Sequence, residues 1–371
     1  MTNLFDYLAW RGDLSFRASP FCEVDNLVYS MLSIMNYEGI VPSSVTGIPL
    51  KLSDCFEKYR QKYPEGEYFG QIFPEVTADI LRDAAQSVRF GDSYMTAFRA
   101  ENDESRVSQF AAVTFVLPDN SIFISYRGTD DTLIGWREDF NLSFMYPVPA
   151  QQKALDYLIE VASVHRGNIR LGGHSKGGNL AVYAAVFAPD DIRKRIITAY
   201  SNDGPGFVEE IVTSRQFREM ESKIHTIVPQ SSVIGMLLEH TEDYTVIESS
   251  FGDGFFQHDP FSWHIIGNRF VHLSELDAKG KKHDRVINEW LRSSTPDERR
   301  KFTETLFRVL DSTGAKTLSD LSVDTIGKIR DAVKAYSGLD RESKEHLVLL
   351  IKRLAEVNFG VKPLQKTKDT D

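Results

Sequence analysis

The stretch that most restricts how this chain can fold runs from Asn168 to Tyr183, NIRLGGHSKGGNLAVY. An apolar run of strand character, IRLGG, passes almost without a gap into a run of helical rhythm, GGNLAVYAAVFA, and the join is Gly173-His174-Ser175-Lys176-Gly177. A strand that turns this sharply into a helix leaves no room for side chains at the flanks of the corner, so glycine two residues before and two after the serine has a steric reason. The corner strains the backbone of Ser175 and lifts its hydroxyl clear of the sheet edge. It also puts the Lys176 N–H at the start of a helix, where an unpaired donor and the helix dipole favour negative charge. The plain alternative is a helix start with an N-capping serine. The strand and helix on either side favour a nucleophile.

The rest of the chain supplies a sheet for that corner. Residues 1 to about 90 space their apolar positions at three and four, as in DNLVYSMLSIMNY and LKLSDCFEKYRQKY, and read as an N-terminal helical layer. QFAAVTFVLPDNSIFISYRG from residue 109 reads as a hairpin turning at Pro118-Asp119-Asn120. A helix (ALDYLIEVASVH), the strand and helix of the corner, a strand (RIITAYSND) and a further strand (KIHTIVP) follow. This alternation predicts an α/β fold, a mostly parallel central sheet with helices on both faces. After about residue 275 only charged, amphipathic helices are expected, the first clear start being the capping box Thr295-Pro296-Asp297-Glu298, with two more helices near 323–336 and 340–357. The chain therefore divides into residues 1–275, which hold the sheet, and a helical region over 276–371. The tail KPLQKTKDTD is expected to fray.

Composition narrows the function. Lys and Arg number 43 against 53 Asp and Glu, a net charge of −10, which argues against a sequence-independent grip on nucleic acid or anionic lipid. The two cysteines, Cys22 and Cys55, show no metal or redox spacing and read as reduced thiols. No basic leader and no run of about 18 apolar residues is present, so a cytoplasmic protein without stable membrane insertion is expected, transient lipid contact apart. Neither a metal nor an organic cofactor is implied.

Two segments together carry a resemblance. YRGT followed by W-x-x-D (Tyr126 to Asp139) and GHSKGG (Gly173 to Gly178) are similar to the class 3 lipases of the α/β-hydrolase superfamily. FDYLAWRGD (Phe5 to Asp13) and QHDPFSW (Gln257 to Trp263) resemble a bacterial lipase-3-like branch more closely still. The resemblance spans roughly residues 1–275. It implies an α/β-hydrolase fold, Ser175 as nucleophile, an oxyanion hole from the backbone of Lys176 and Thr129, and Trp136 and Asp139 as braces of the oxyanion loop.

The base should be a histidine late in the chain. His258, in a loop bounded by Gly252, Gly254 and Pro260, is favoured over His264 and His272. For the acid the sequence departs from the lipase pattern, which carries aspartate directly before I-V-P, where this chain has Thr226. The preceding strand ends at Asp203 before Gly204-Pro205-Gly206, and neighbouring strands lie only about 5 Å apart, so Asp203 is the expected acid. Asp259 and Glu239 are outside candidates. The apolar stretch SSVIGMLLEH (231–240) reads as an acyl-pocket wall, a lid or a core helix, and Lys176 as either a contact for a polar or anionic substrate or a solvated side chain. The expected function is a serine hydrolase acting on acyl esters or thioesters, small-molecule substrates; the alternative is a hydrolase-like scaffold that has lost turnover.

Overall fold

The computed structural model describes residues 2–66, 76–252 and 254–322, with Lys334, Tyr336, Gly338 and Lys344 beyond them. The two helices expected near 323–336 and 340–357 fall outside these described residues.

Among the described residues four helices come first: α1 (Leu4–Arg11), α2 (Glu23–Leu32), α3 (Leu52–Lys62) and α4 (Val76–Gln86), with a two-residue strand β1 (Leu50–Lys51) before the third. The start of α1 is fixed by Asn3, whose Oδ1 accepts from the Phe5 and Asp6 amides while the Asp6 carboxylate accepts from the Asn3 amide. Inside this layer lies a fully buried ion pair. The Arg89 guanidinium meets both oxygens of Asp25 at 2.6 and 2.5 Å and gives its other N–H groups to the carbonyls of Leu14, Ser19 and Pro20. A buried charge pair is tolerated when every donor is used, as here. Tyr7, from the FDYLAWRGD segment, donates to the same Asp25 at 2.7 Å. Burial pushes the Cys55 thiol up to about 12, and burial with the neighbouring Asp25 carboxylate pushes Cys22 up to about 11, so both stay protonated.

A nine-stranded sheet follows. Strands β2 (Tyr94–Asp103), β3 (Ser108–Val116) and β4 (Ile122–Tyr126) run antiparallel. Then come α5 (Leu133–Asn141), α6 (Pro149–Val164), β5 (Ile169–His174), α7 (Lys176–Phe187), α8 (Asp190–Arg193), β6 (Ile196–Asn202), α9 (Glu209–Val212), α10 (Arg215–Met220), β7 (Ile224–Pro229) and β8 (Tyr244–Ile247). Strands β4 to β8 pair in parallel in sequence order, whereas the edges, β1 and a late strand, are antiparallel. Strands β9 (Ile265–Ile266) and β10 (Arg269–Phe270) form a small ladder, and β11 (His272–Leu273) closes the far edge of the main sheet. The hairpin at Pro118-Asp119-Asn120 is thus the β3–β4 turn, and the parallel part of the sheet is its middle, β4 to β8.

Apolar residues of β4 alternate between two cores. Phe123 joins the N-terminal helices on one face, and Ile122, Ile124 and Tyr126 meet α6 and α7 on the other. With both faces covered, only the strand ends remain for chemistry. In register, Tyr126 stands beside Gly173 and His174 beside Asn202, so β4, β5 and β6 all end on one line, with Thr129, Ser175 and Asp203 just past it. The architecture is α/β, with a sheet parallel through its middle and helices on both faces.

After the last strand, α11 (Ala278–Ser293), α12 (Pro296–Asp311) and α13 (Leu318–Ser322) form the described part of the helical region. The capping box at Thr295 is present, with Glu298 Oε2 accepting from the Thr295 amide at 2.7 Å. No helix among the described residues is long and apolar enough to cross a membrane.

Candidate active site

Ser175 has φ 59° and ψ −134°, a strained conformation for a residue with a side chain. The two flanking glycines make it possible. A Cβ on Gly173 would lie 2.3 Å from the Gly177 carbonyl carbon and 2.5 Å from the Tyr126 oxygen, and one on Gly177 would lie 2.1 Å from that same oxygen. Through Leu171–Val186 every residue except Ser175 is buried, which leaves the serine as the part of the corner that solvent reaches. The Lys176 amide, at the first position of α7, has no carbonyl one turn back to bond.

The loop after β4 presses against the corner. A Cβ on Gly128 would sit 2.6 Å from the His174 carbonyl oxygen and 3.2 Å from Ser175 Cβ, so the next residue, Thr129, is beside the nucleophile position. Thr129 Oγ1 donates to Asp139 Oδ2 at 2.5 Å. Burial raises the Asp139 carboxyl to about 6, against Lys176 and the Thr129 hydroxyl, which both favour its charge. Trp136 packs with Leu133 and Phe307.

The Lys176 side chain corrects the sequence reading, since it faces neither solvent nor substrate. Its ammonium is buried 3.1 Å from Glu138 Oε2 and donates to the Gln109 carbonyl at 3.1 Å. Glu138 in turn accepts from the Gln109 and Ala150 amides. Residue 176 therefore ties the corner to α5 through its side chain and offers the site only its backbone.

His258 lies in a short 3-10 turn, Gly254–His258, and is drawn to the end of the sheet by three contacts. Its Nδ1 donates to Asp203 Oδ2 at 2.6 Å. Its carbonyl accepts from His174 Nε2 at 2.8 Å, and the two imidazole rings lie 4.3 Å apart. Burial and the neighbouring His258 hold His174 well below the usual histidine range, so that ring is neutral with its proton on Nε2. The neighbours of His258 complete the frame: Gln257 accepts from the Ser231 amide and donates to the Phe251 carbonyl, and Trp263 Nε1 donates to the Gln257 carbonyl at 2.8 Å. Phe261 stacks on Phe5 at 5.3 Å, which joins the two motif segments of the lipase-3-like resemblance.

Asp203 is fully buried at positive φ, one residue beyond β6. Its Oδ1 accepts from Ser232 Oγ at 2.5 Å and from the Gly235 amide at 3.2 Å, which leaves Oδ2 for the imidazole. The stretch 231–240 is thus not a helix of the core: it makes a 3-10 turn at Ile234–Met236, and its start holds the Asp203 carboxylate. A reciprocal pair, Asn26 Nδ2 to Asn202 Oδ1 at 2.8 Å and Asn202 Nδ2 to Asn26 Oδ1 at 3.1 Å, anchors the end of β6 to α2. Asn202 also donates to the Gly173 carbonyl at 3.0 Å, beneath the corner.

The remaining candidates lie elsewhere. His264 has Nδ1 3.0 Å from Glu248 and Nε2 2.6 Å from Ser250 Oγ, and His272 meets Glu23 at 2.9 Å. Asp259 caps a turn by accepting from the Phe261 amide, and Glu239 bridges to Phe207. Thr226 donates to Glu242 at 2.7 Å, away from His258. Ser175, His258, Asp203, Thr129 and Lys176 are gathered at one edge of the sheet. Sequence reasoning missed Ser232, Gly235, Gln257, His174 and Glu138 as their supports, although Gln257 and His174 adjoin residues it had singled out. Among the described residues no three His, Cys, Asp or Glu cluster in a way that could hold a metal.

Comparison with known proteins gives a family and a set of fold likenesses. A family model described as Mbeg1-like matches residues 84–308, more than half of the chain. No curated protein matches. Among solved structures the chain is similar to the Rhizomucor miehei lipase propeptide complex, at 15% identity over 60% of this chain and 67% of that one, with a TM-score of 0.34. It is similar also to M37 lipase (14% identity, 57% and 68% of the two chains, TM-score 0.34) and to Lip2 lipase from Yarrowia lipolytica (12%, 63% and 88%, 0.32).

Proposed function

Given that the chain belongs to the Mbeg1-like family, we propose that it is a serine hydrolase that cleaves carboxylic esters or thioesters through an acyl-enzyme on Ser175. One observation carries the reading: a strained, solvent-reached serine shares a sheet edge with an imidazole whose Nδ1 is held 2.6 Å from a buried carboxylate. With the Nδ1 proton committed to Asp203, the lone pair of His258 is on Nε2, the tautomer a general base needs.

In the proposed sequence His258 Nε2 takes the Ser175 hydroxyl proton as Oγ attacks the carbonyl carbon. The carbonyl oxygen gains negative charge and is met by the amides of Lys176 and Thr129, each worth about 3–4 kcal/mol of barrier in such sites. As the tetrahedral species collapses, the imidazolium returns its proton to the departing alcohol or thiol. A water molecule then attacks the acyl-enzyme with His258 again as base, and the acid leaves as Ser175 recovers its proton. Asp203 fixes the ring while it carries charge. The scaffold alternative drew its support from Thr226 standing where the lipase pattern has its acid; Asp203, one strand earlier and already in contact with the imidazole, removes that support.

Turnover of p-nitrophenyl esters of graded chain length, and of an acyl thioester, tests the reading. Activity lost by at least about 10³-fold in Ser175→Ala and in Asp203→Asn is expected. Equal rates in wild type and Ser175→Ala would refute it.

A further inference from the structure

The described C-terminal helices do not stand apart from the sheet: they grip the segment that leads away from Thr129. Past Arg127, whose amide still donates to the Ala111 carbonyl of β3 at 2.9 Å, the backbone groups of this segment need other partners. The C-terminal region supplies them. Thr132 and Thr317 form an antiparallel bridge, the Leu133 amide donates to the Lys316 carbonyl at 2.9 Å, and the Leu318 amide donates to the Asp131 carbonyl at 2.9 Å. The Ser319 amide donates to Asp131 Oδ2 at 3.2 Å. Further along, Phe140 packs between Phe302 and Phe307 of α12, and Arg299 Nε donates to the Ser143 carbonyl at 2.7 Å. Residues 131–143 are therefore held at their beginning, middle and end by one C-terminal unit.

We propose that the Lys316–Ser319 segment, seated by α12, positions the oxyanion loop, and that Asp131 is the positioning residue through which it acts on Thr129. This rests on the hydrolase reading above. Asp131 is buried and two residues from Thr129. Without its C-terminal partners, the Asp131 carboxylate and carbonyl and the Leu133 amide have to turn toward water, and that rotation carries the Thr129 amide off the oxyanion. Thr129 is held from the other side by Asp139 of α5, which the same C-terminal helices cover. An oxyanion donor acts only if it is already in place when charge develops, so losing this hold lowers the rate of the chemical step and leaves ground-state binding intact. The C-terminal helices are in this way a working part of the hydrolase site.

The test uses the full chain and two readouts, ester turnover and the rate at which a fluorophosphonate labels Ser175. Asp131→Ala is expected to lower kcat by about tenfold or more with KM within about twofold, and to slow labelling in parallel. Asp131→Asn, whose amide oxygen still accepts from the Ser319 amide, should recover most of the rate. Leu318→Pro deletes the donor to the Asp131 carbonyl at a first helical position that accepts proline, and against Leu318→Ala it should show the same fall; this pair decides the matter if Asp131→Ala does not fold. Wild-type rates in Asp131→Ala or Leu318→Pro, or a loss that Asp131→Asn fails to recover, overturn the positioning proposal alone. A wild-type chain that neither turns over esters nor labels at Ser175 overturns the hydrolase reading and this proposal with it.

Discussion

Gly235 offers the sharpest perturbation of Asp203, the proposed acid. Its backbone is outside the left-handed region, so alanine there costs no conformational strain, yet a methyl group would lie 2.2 Å from Asp203 Oδ1. Val228 Cγ1 and Ser232 Oγ stand 2.8 and 3.0 Å from the same methyl position, so three groups crowd it at once. The carboxylate must yield, by about 1 Å, a displacement that costs on the order of 10²-fold in sites of this kind. The same shift strips Oδ1 of its amide donor and pulls Oδ2 out of the 2.6 Å contact with His258. Complete loss of a triad acid costs about 10⁴-fold, so Gly235→Ala is expected to lower kcat/KM between those limits. The assay is ester turnover beside a thermal melt; a fall in rate while the chain remains folded at the assay temperature locates the effect in the dyad. A folded Gly235→Ala protein with wild-type kcat/KM would refute the assignment of Asp203.

Three further outcomes follow from the same contacts. Lys176→Met leaves the buried Glu138 carboxylate without its cation and should cost about 3–5 kcal/mol of stability by denaturant unfolding, part of which returns in Lys176→Met/Glu138→Gln. Asp139 has its carboxyl raised from 3.8 to about 6 by burial, so the folded chain holds that proton more tightly than the unfolded chain; its contribution to stability is complete below about pH 4 and is lost as pH rises through 6. Wild type should therefore lose up to about 3 kcal/mol relative to Asp139→Asn between pH 4 and pH 7, and parallel stability profiles would contradict this. Asn26→Ala breaks the reciprocal amide pair and should lower stability by about 1–3 kcal/mol, read as a shift in the urea midpoint.

The parts of this architecture that local chemistry dictates could be read from the sequence. The corner at Ser175 announces itself because only glycine fits at 173 and 177, and Asp203 because Gly204-Pro205-Gly206 ends its strand just past the sheet. What escaped depends on partners distant in sequence. The burial of Lys176 is set by Glu138, 38 residues away, and nothing in KGGNLAVY reveals it. The stretch from Ser231 has an apolar texture that suggests a helix, but Asp203 recruits Ser232 and the Gly235 amide and bends it into a turn. Strand β2 was hidden by its charged second half, Arg99 to Asp103, and by a register irregularity between Thr96 and Arg99 where Ala97 takes positive φ. The grip of the C-terminal helices on the loop that follows Thr129 joins residues nearly two hundred apart, and no local pattern encodes it.

The central claim is that Ser175 forms a covalent bond to the acyl group during turnover. Mixing the full chain with an excess of activated ester, quenching in acid within the first turnover and mapping the peptides by mass spectrometry tests it directly. The account predicts one acyl group, on the peptide that contains Ser175, absent from Ser175→Ala and formed more slowly in His258→Ala. Steady ester hydrolysis with no acyl group on that peptide, or an equal yield in Ser175→Ala, would contradict it.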